Sequence, residues 1–205
     1  MFFRKINSIA FLLLLSMLSI QSQCKKRFGC AENLYSFNLG VKAIPDNDSL
    51  LIGDTIWFEI DEPITLKDAQ TERMINYSGA VNLGSAIAFQ AFSSEFGQFT
   101  IEAAKKFAII VIEGKETGNT NPSLYHEFLF SEINSRYIFR LGIMPLEKGI
   151  FRIGFGNAAN VYRTNDNCTK ASFNLNFKET DQHFYFFPGG SGTIPGGGIY
   201  YFKVN

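Results

Sequence analysis

Two histidines, three cysteines and a few clustered carboxylates carry most of the reactive chemistry that this 205-residue sequence offers. A Ser-His-Asp triad needs His126 or His183 beside a nucleophile, and no Gly-x-Ser-x-Gly elbow accompanies either. In "YHEF" the neighbours His126 and Glu127 point to opposite faces of a strand, which makes them a poor ligand pair. Asp181, two residues before His183, reads as its surface partner. Glu59 and Asp61 share a face at the end of the "TIWFEI" strand, with Glu62 beside them. Paired carboxylates of this kind serve glycosidases, but a solvated strand end has the same composition. Asp46 and Asp48 in "PDNDS" alternate as calcium ligands do, without the glycine and terminal glutamate of an EF-hand loop. The glycine-rich "FPGGSGTIPGGGIYYF" (187–202) lacks the lysine, the Ser/Thr and the following helix of a phosphate cradle, so it reads as a hairpin connection. These observations assign no catalytic residue, no metal-ligand set and no cofactor.

The aromatic residues offer a different chemistry. "HFYFFPGG" and "IYYFKV" flank the glycine run, and the expectation is that they pair as a hairpin with apolar side chains on both faces. Such a hairpin is either a central strand pair covered on both sides or an exposed surface that stacks on sugars or docks a protein. Tyr185 and Tyr201 are its candidate ligand-binding residues. Trp57, the sole tryptophan, is a third, because it lies on the Glu59 side of its strand, opposite Ile56, Phe58 and Ile60.

The elements that position these residues follow from a two-residue period. In "ASFNLNFK" Phe173, Leu175 and Phe177 alternate with Ser172, Asn174 and Asn176, which predicts a half-buried strand. The same beat marks Tyr35–Val41, Ile56–Ile60, Phe99–Ile101 and Phe151–Phe155. Further strands are predicted over 81–92, 107–113 (a buried one), 124–133, 136–143, 182–187 and 199–204. Helix signals are confined to short stretches near 102–106 and 66–73, the second of which reads equally as a polar loop. Turn chemistry at 45–49, 113–123, 163–167 and 188–198 separates the strands. About ten strands with few helices predict an all-β fold, an antiparallel β-sandwich of immunoglobulin-like or jelly-roll-like type. "DSLLIGDTIWFEI" (48–60) resembles the early strand–turn–strand of bacterial immunoglobulin-like extracellular domains. That resemblance implies a fold type and no activity.

The start of the chain sets its destination. Arg4 and Lys5 precede the apolar run Ile9–Ile20, which is followed by polar residues, the layout of a secretory signal over 1–23. The N-terminus resembles that of bacterial lipoproteins, which implies lipid on Cys24 and export to the periplasm or cell surface, with outer-membrane anchoring. Gln23 departs from that family's small residue before the cysteine, and ordinary cleavage after Ser22 is the competing reading, which leaves Cys24 an unpaired thiol or a partner for either other cysteine. Three cysteines cannot all pair within one chain; with Cys24 acylated, Cys30 is left to join Cys168. That bridge would close a very long loop, ideally about 4–5 kcal/mol of unfolded-state entropy. Residues 24–30 then form a short tether and 31–205 a single domain, the alternative being a division at the 113–123 loop. The chain balances 19 basic against 19 acidic side chains; losing Arg4 and Lys5 tips it only slightly acidic, with no field to attract nucleic acid or a membrane. The sequence thus points to an exported, non-catalytic binding or interaction module with a protein or glycan partner. A carbohydrate-binding module and a small extracytoplasmic hydrolase are the alternatives, and membrane contact comes only through the lipid.

Overall fold

The computed structural model describes residues 33–100, 103–118, 125–164, 166–186 and 197–205. The leader, the tether with Cys24 and Cys30, Ile101, Glu102 and most of the glycine-rich run lie outside them. Strands in chain order are β1 (Asn33–Ile44), β2 (Ser49–Leu50), β3 (Ile56–Pro63), β4 (Thr65–Lys67), β5 (Met74–Asn76), β6 (Gly84–Ser93), β7 (Gln98–Thr100) and β8 (Phe107–Glu113). They continue with β9 (Lys115–Thr117), β10 (Tyr125–Leu129), β11 (Ser131–Ile133), β12 (Arg136–Pro145), β13 (Gly149–Phe155), β14 (Ala158–Arg163), β15 (Asp166–Phe177) and β16 (Ile199–Val204). Helical structure among the described residues is limited to two 3-10 turns, Ala104–Lys106 and Phe184–Phe186.

The strands form two seven-stranded sheets and a small hairpin. Sheet one runs β11-β12-β3-β1-β15-β14, with β8 also on β12; sheet two runs β2-β16-β13-β6-β10-β9, with β7 also on β6; β4 and β5 pair separately. The registered pairs are antiparallel except the short β16–β2 contact, which is parallel. Early and late strands interleave in both sheets, and Leu34–Asn205 is one unit. The fold is therefore an all-β sandwich.

Alternation explains the core. Phe37, Leu39 and Val41 of β1, Phe58 and Ile60 of β3, and Phe173 and Leu175 of β15 point inward from sheet one. Ile87 and Phe89 of β6, Phe151 and Ile153 of β13, and Tyr200 and Phe202 of β16 meet them from sheet two. Phe58 crosses the interface, with ring centroids 5.5 Å from Phe155 and 5.6 Å from Tyr200. Each such ring contributes about 1.5–3 kcal/mol by leaving water, and an aromatic pair adds about 0.5–1.5 kcal/mol. The β4–β5 hairpin is tied to the sandwich by Tyr77, whose hydroxyl donates to the Val161 carbonyl at 2.8 Å, and by Tyr137, whose hydroxyl donates to the Tyr77 carbonyl. Burial pushes the Tyr77 hydroxyl up to about 12 and Tyr137 upward as well.

Three expectations need correction. In the predicted strand 182–187 the described residues 182–186 form no strand: Phe184–Phe186 is a 3-10 turn, and His183 has φ +52°, a left-handed conformation that breaks strand pairing. β16 therefore pairs with β13 instead of a local hairpin partner. β8 is not buried on both sides, because its outward residues Ile110 and Ile112 are 36% and 53% exposed. The helix option for 66–73 fails in favour of the loop: these residues are a strand end and a turn, organised by fully buried Asp68. Burial alone would raise that carboxyl, but the Ser36 and Thr71 N–H groups and the Thr71 hydroxyl donate to it and hold it below its ordinary value.

Candidate functional site

The outer face of sheet one carries two cross-strand rows of opposite character. Ile44, Trp57, Gly142 and Ile110 stand opposite one another on β1, β3, β12 and β8. Directly opposed residues share a face, so this is a four-strand apolar row. One row further on, Lys42, Glu59, Arg140 and Glu113 alternate in charge across the same strands. Trp57 is half-buried because its indole lies flat across Gly142: a Cβ there would meet the indole Cζ3 at 2.7 Å. Arg140 covers the ring with its guanidinium 4.9 Å from the centroid and bonds Glu59 at 2.8 Å. The indole is thus held between a strand and a cation. Ile44 is 45% exposed and, with Ile110 and Ile112, leaves apolar surface around it.

β8 borders this face and, among the described residues, pairs only with β12. The Leu146 N–H donates to the Lys106 carbonyl at 2.8 Å. With the unbroken register from Phe107 to Val111, that bond makes Ala108 and Ile110 the residues whose backbone groups point to β12. Those of Ile109 and Val111 point to the free edge. The bulge lies between Arg140 and Leu141, opposite Ile112, at the far end of the strand.

The three aromatic candidates do not come together. Tyr201 is fully buried, contrary to the expectation of a surface residue. It faces away from the main core, yet Phe99 of β7 (5.5 Å) and Phe184 (5.8 Å) roof it, with Arg152 over Phe99 at 4.8 Å. Tyr185 is 65% exposed and packs 4.7 Å from Phe186. Its hydroxyl donates to Asp48 at 2.5 Å, a bond that lowers the Asp48 carboxyl and raises the Tyr185 hydroxyl to about 12.

A buried polar cluster beneath Tyr185 was not anticipated. His183 is only 5% exposed, and its Nε2 lies 3.2 Å from the Tyr200 hydroxyl and 3.4 Å from Asp46. The Tyr200 hydroxyl donates to the Asn47 carbonyl at 2.9 Å, and burial drives its ionisation upward. Asp181 accepts the His183 N–H at 2.9 Å, an Asx-turn that sets the left-handed backbone. Asp181 and His183 are therefore a turn contact at a buried ring, not a surface pair on one strand. The dipeptide spacing alone could have signalled that turn.

The remaining carboxylates are engaged by protein donors. Asp46 accepts the Asp181 N–H at 2.7 Å and Asp48 accepts from Tyr185, so the carboxylates of the "PDNDS" loop are taken up by the 181–185 segment. Glu59 and Asp61 do share a face, but Arg140 and Arg136 bind one each. His126 is paired with Glu116 at 2.6 Å across neighbouring strands. Among the described residues, no group of three or more His, Cys, Asp or Glu could hold a metal ion, and no helix is long and apolar enough to cross a membrane. Grooves lined by Val81, Asn82, Tyr162 and Arg163, and by Gly40, Glu62 and Lys178, contain none of the aromatic candidates. Cys168, half-buried on β15, is not a free thiol; Cys24 and Cys30 lie outside the described residues.

No family model matches the sequence, and no curated protein does. Among solved structures, the type II cohesin dyad from the adaptor ScaA scaffoldin of Acetivibrio cellulolyticus is similar over 69% of this chain, at 7% identity and a TM-score of 0.33. This chain spans 47%, about half, of that structure's length. A type II cohesin domain from the cellulosome of the same organism is similar over 67% of this chain and 91% of its own, at 7% identity and a TM-score of 0.30. Likeness at this level assigns no function.

Proposed function

We propose that the chain is an exported, non-catalytic interaction module that docks a protein partner on the outer face around Trp57, Ile110 and Ile112. The observation that carries this reading is the apolar row on a sheet face that no other described element covers, bounded by a row of alternating charge. Contiguous apolar surface rimmed by polar groups marks interaction sites, and the charged row would fix the orientation of the partner. In this reading residues 1–23 are a leader and Cys24 carries the anchor. Cys30 bonds Cys168, consistent with the latter not being a free thiol. Intact mass of the protein from its native host, with and without reductant, tests these points together. A first residue of Gln23 without lipid would refute the anchor.

In-cell cross-linking in the native host tests the docking face. A partner that cross-links to the wild-type chain should be lost in Ile112→Lys and in Trp57→Ala, with circular dichroism unchanged in both. Retention of the same partner by both variants refutes the site. The carbohydrate reading is left with Tyr185, because Tyr201 is buried and Trp57 is covered on its ring by Arg140. Glycan binding that disappears in Tyr185→Ala would restore it.

A further inference from the structure

Among the described residues six strands of the two sheets have a single neighbour, and five of them are blunted. β2 has two residues and β7, β9 and β11 three each, while β14 carries register shifts between Ala158 and Val161 and between Tyr162 and Arg163. Short strands and bulges are the usual devices that prevent edge pairing. β8 has neither over Phe107–Val111: it is regular, apolar and free of proline and glycine. Its free-edge groups belong to Ile109 and Val111, and the Phe107 N–H is already taken by the Ala104 carbonyl.

We propose that β8 pairs antiparallel with β8 of a second copy, about a two-fold axis at Ile110. In that register Ile109 of each copy meets Val111 of the other, and the two pairs exchange four backbone hydrogen bonds. Ile110 stands opposite its own counterpart. The two ends of the strand differ in charge, with Lys105 and Lys106 before it and Glu113 at its end. With the axis at Ile110, Glu113 of each copy lies opposite Phe107 of the other, one position from its Lys106, whereas parallel in-register pairing would set Lys106 against Lys106 and Glu113 against Glu113. The row Ile44–Trp57–Gly142–Ile110 then continues across the axis into its own copy. The contact is isologous, so it consumes both edges and closes as a dimer without propagating. It goes beyond the docking proposal and can fail separately, since Trp57→Ala alters the face and leaves the β8 edge intact.

Sedimentation of the processed, exported chain tests the axis. The wild type should be a dimer, while Ile110→Lys and Ile110→Glu, each alone, should halve the mass with circular dichroism unchanged, because like charges then face each other on the axis. An equimolar mixture of the two variants should recover the dimer. Ile109→Pro, which removes a free-edge N–H that β12 does not use, should also give a monomer. A monomeric wild type overturns the proposal, whether or not its edge captures another protein's strand. So does a dimer that survives Ile110→Lys and Ile109→Pro, or a mixture that stays monomeric.

Discussion

β8 and β16 are built from similar residues and end in opposite situations. "FAIIVIE" and "IYYFKV" are both apolar on both faces, so alternation alone gives neither an inside nor an outside. In β16, Tyr200 and Phe202 fill the main core, while Tyr201 on the other side is roofed by Phe99 and Phe184. Its backbone is paired with β13 and, at its end, with β2. Among the described residues β8 has one neighbour and no roof. Cover is therefore a property of other segments, supplied to β16 by β7 and the Phe184–Phe186 turn and to β8 by none of those described.

The largest effect that follows is on stability. Phe202→Ala should cost about 3–5 kcal/mol, because a ring held between Phe107 (6.1 Å) and Phe151 (5.8 Å) leaves a cavity that a sheet cannot close. Ile112→Lys should stay within about 0.5 kcal/mol of the wild type, as exposed positions do. Urea unfolding measures both. A loss of several kcal/mol in Ile112→Lys would mean that β8 is covered after all, and the contrast between the strands would collapse.

Alkali should act next, through the buried tyrosine hydroxyls. The Tyr77 hydroxyl is held at about 12 against an ordinary value near 10, and burial raises those of Tyr137 and Tyr200 too. A folded value above the unfolded one means that this contribution is complete below pH 10 and lost as pH climbs through the folded value. Thermal melts should accordingly hold steady up to pH 10 and fall steeply by about pH 12. Tyr200→Phe should cost about 1–2 kcal/mol at neutral pH, since it deletes a hydroxyl bonded to the Asn47 carbonyl and strands His183 Nε2.

How much of this was legible in the sequence depends on whether the cause was local. The inward sets Phe37–Leu39–Val41, Phe58–Ile60 and Phe151–Ile153–Phe155 follow a strict period, and the sandwich follows from them. So does the outward placement of Trp57 beside Glu59. The failures were non-local or conformational. "HFYFFP" has strand composition, but Asp181 caps a left-handed His183 and turns the chain into a 3-10 segment. The burial of Tyr201 depends on β7, a hundred residues earlier, and could not be read from "IYYFKV". The seat of Trp57 on Gly142 joins residues 85 apart, and nothing near either announces it.

Arg140→Ala should change stability little, and it is informative for that reason. Its bond to Glu59 joins side chains that are 46% and 30% exposed, a pair worth about 0–1 kcal/mol, and its contact with the Trp57 ring is worth a similar amount. Stability should drop by less than about 1 kcal/mol, yet the outward ring face loses its only described cover. Because Trp57 is the sole tryptophan, its emission should shift to the red and acrylamide quenching should rise, with no second fluorophore to confuse the reading. Gly142→Ala should move the same ring by the opposite route, pushing it off β12 from below while Arg140 stays in place. If neither substitution changes quenching, the indole is not held between strand and cation, and the outer face of sheet one would be less ordered than the core it backs.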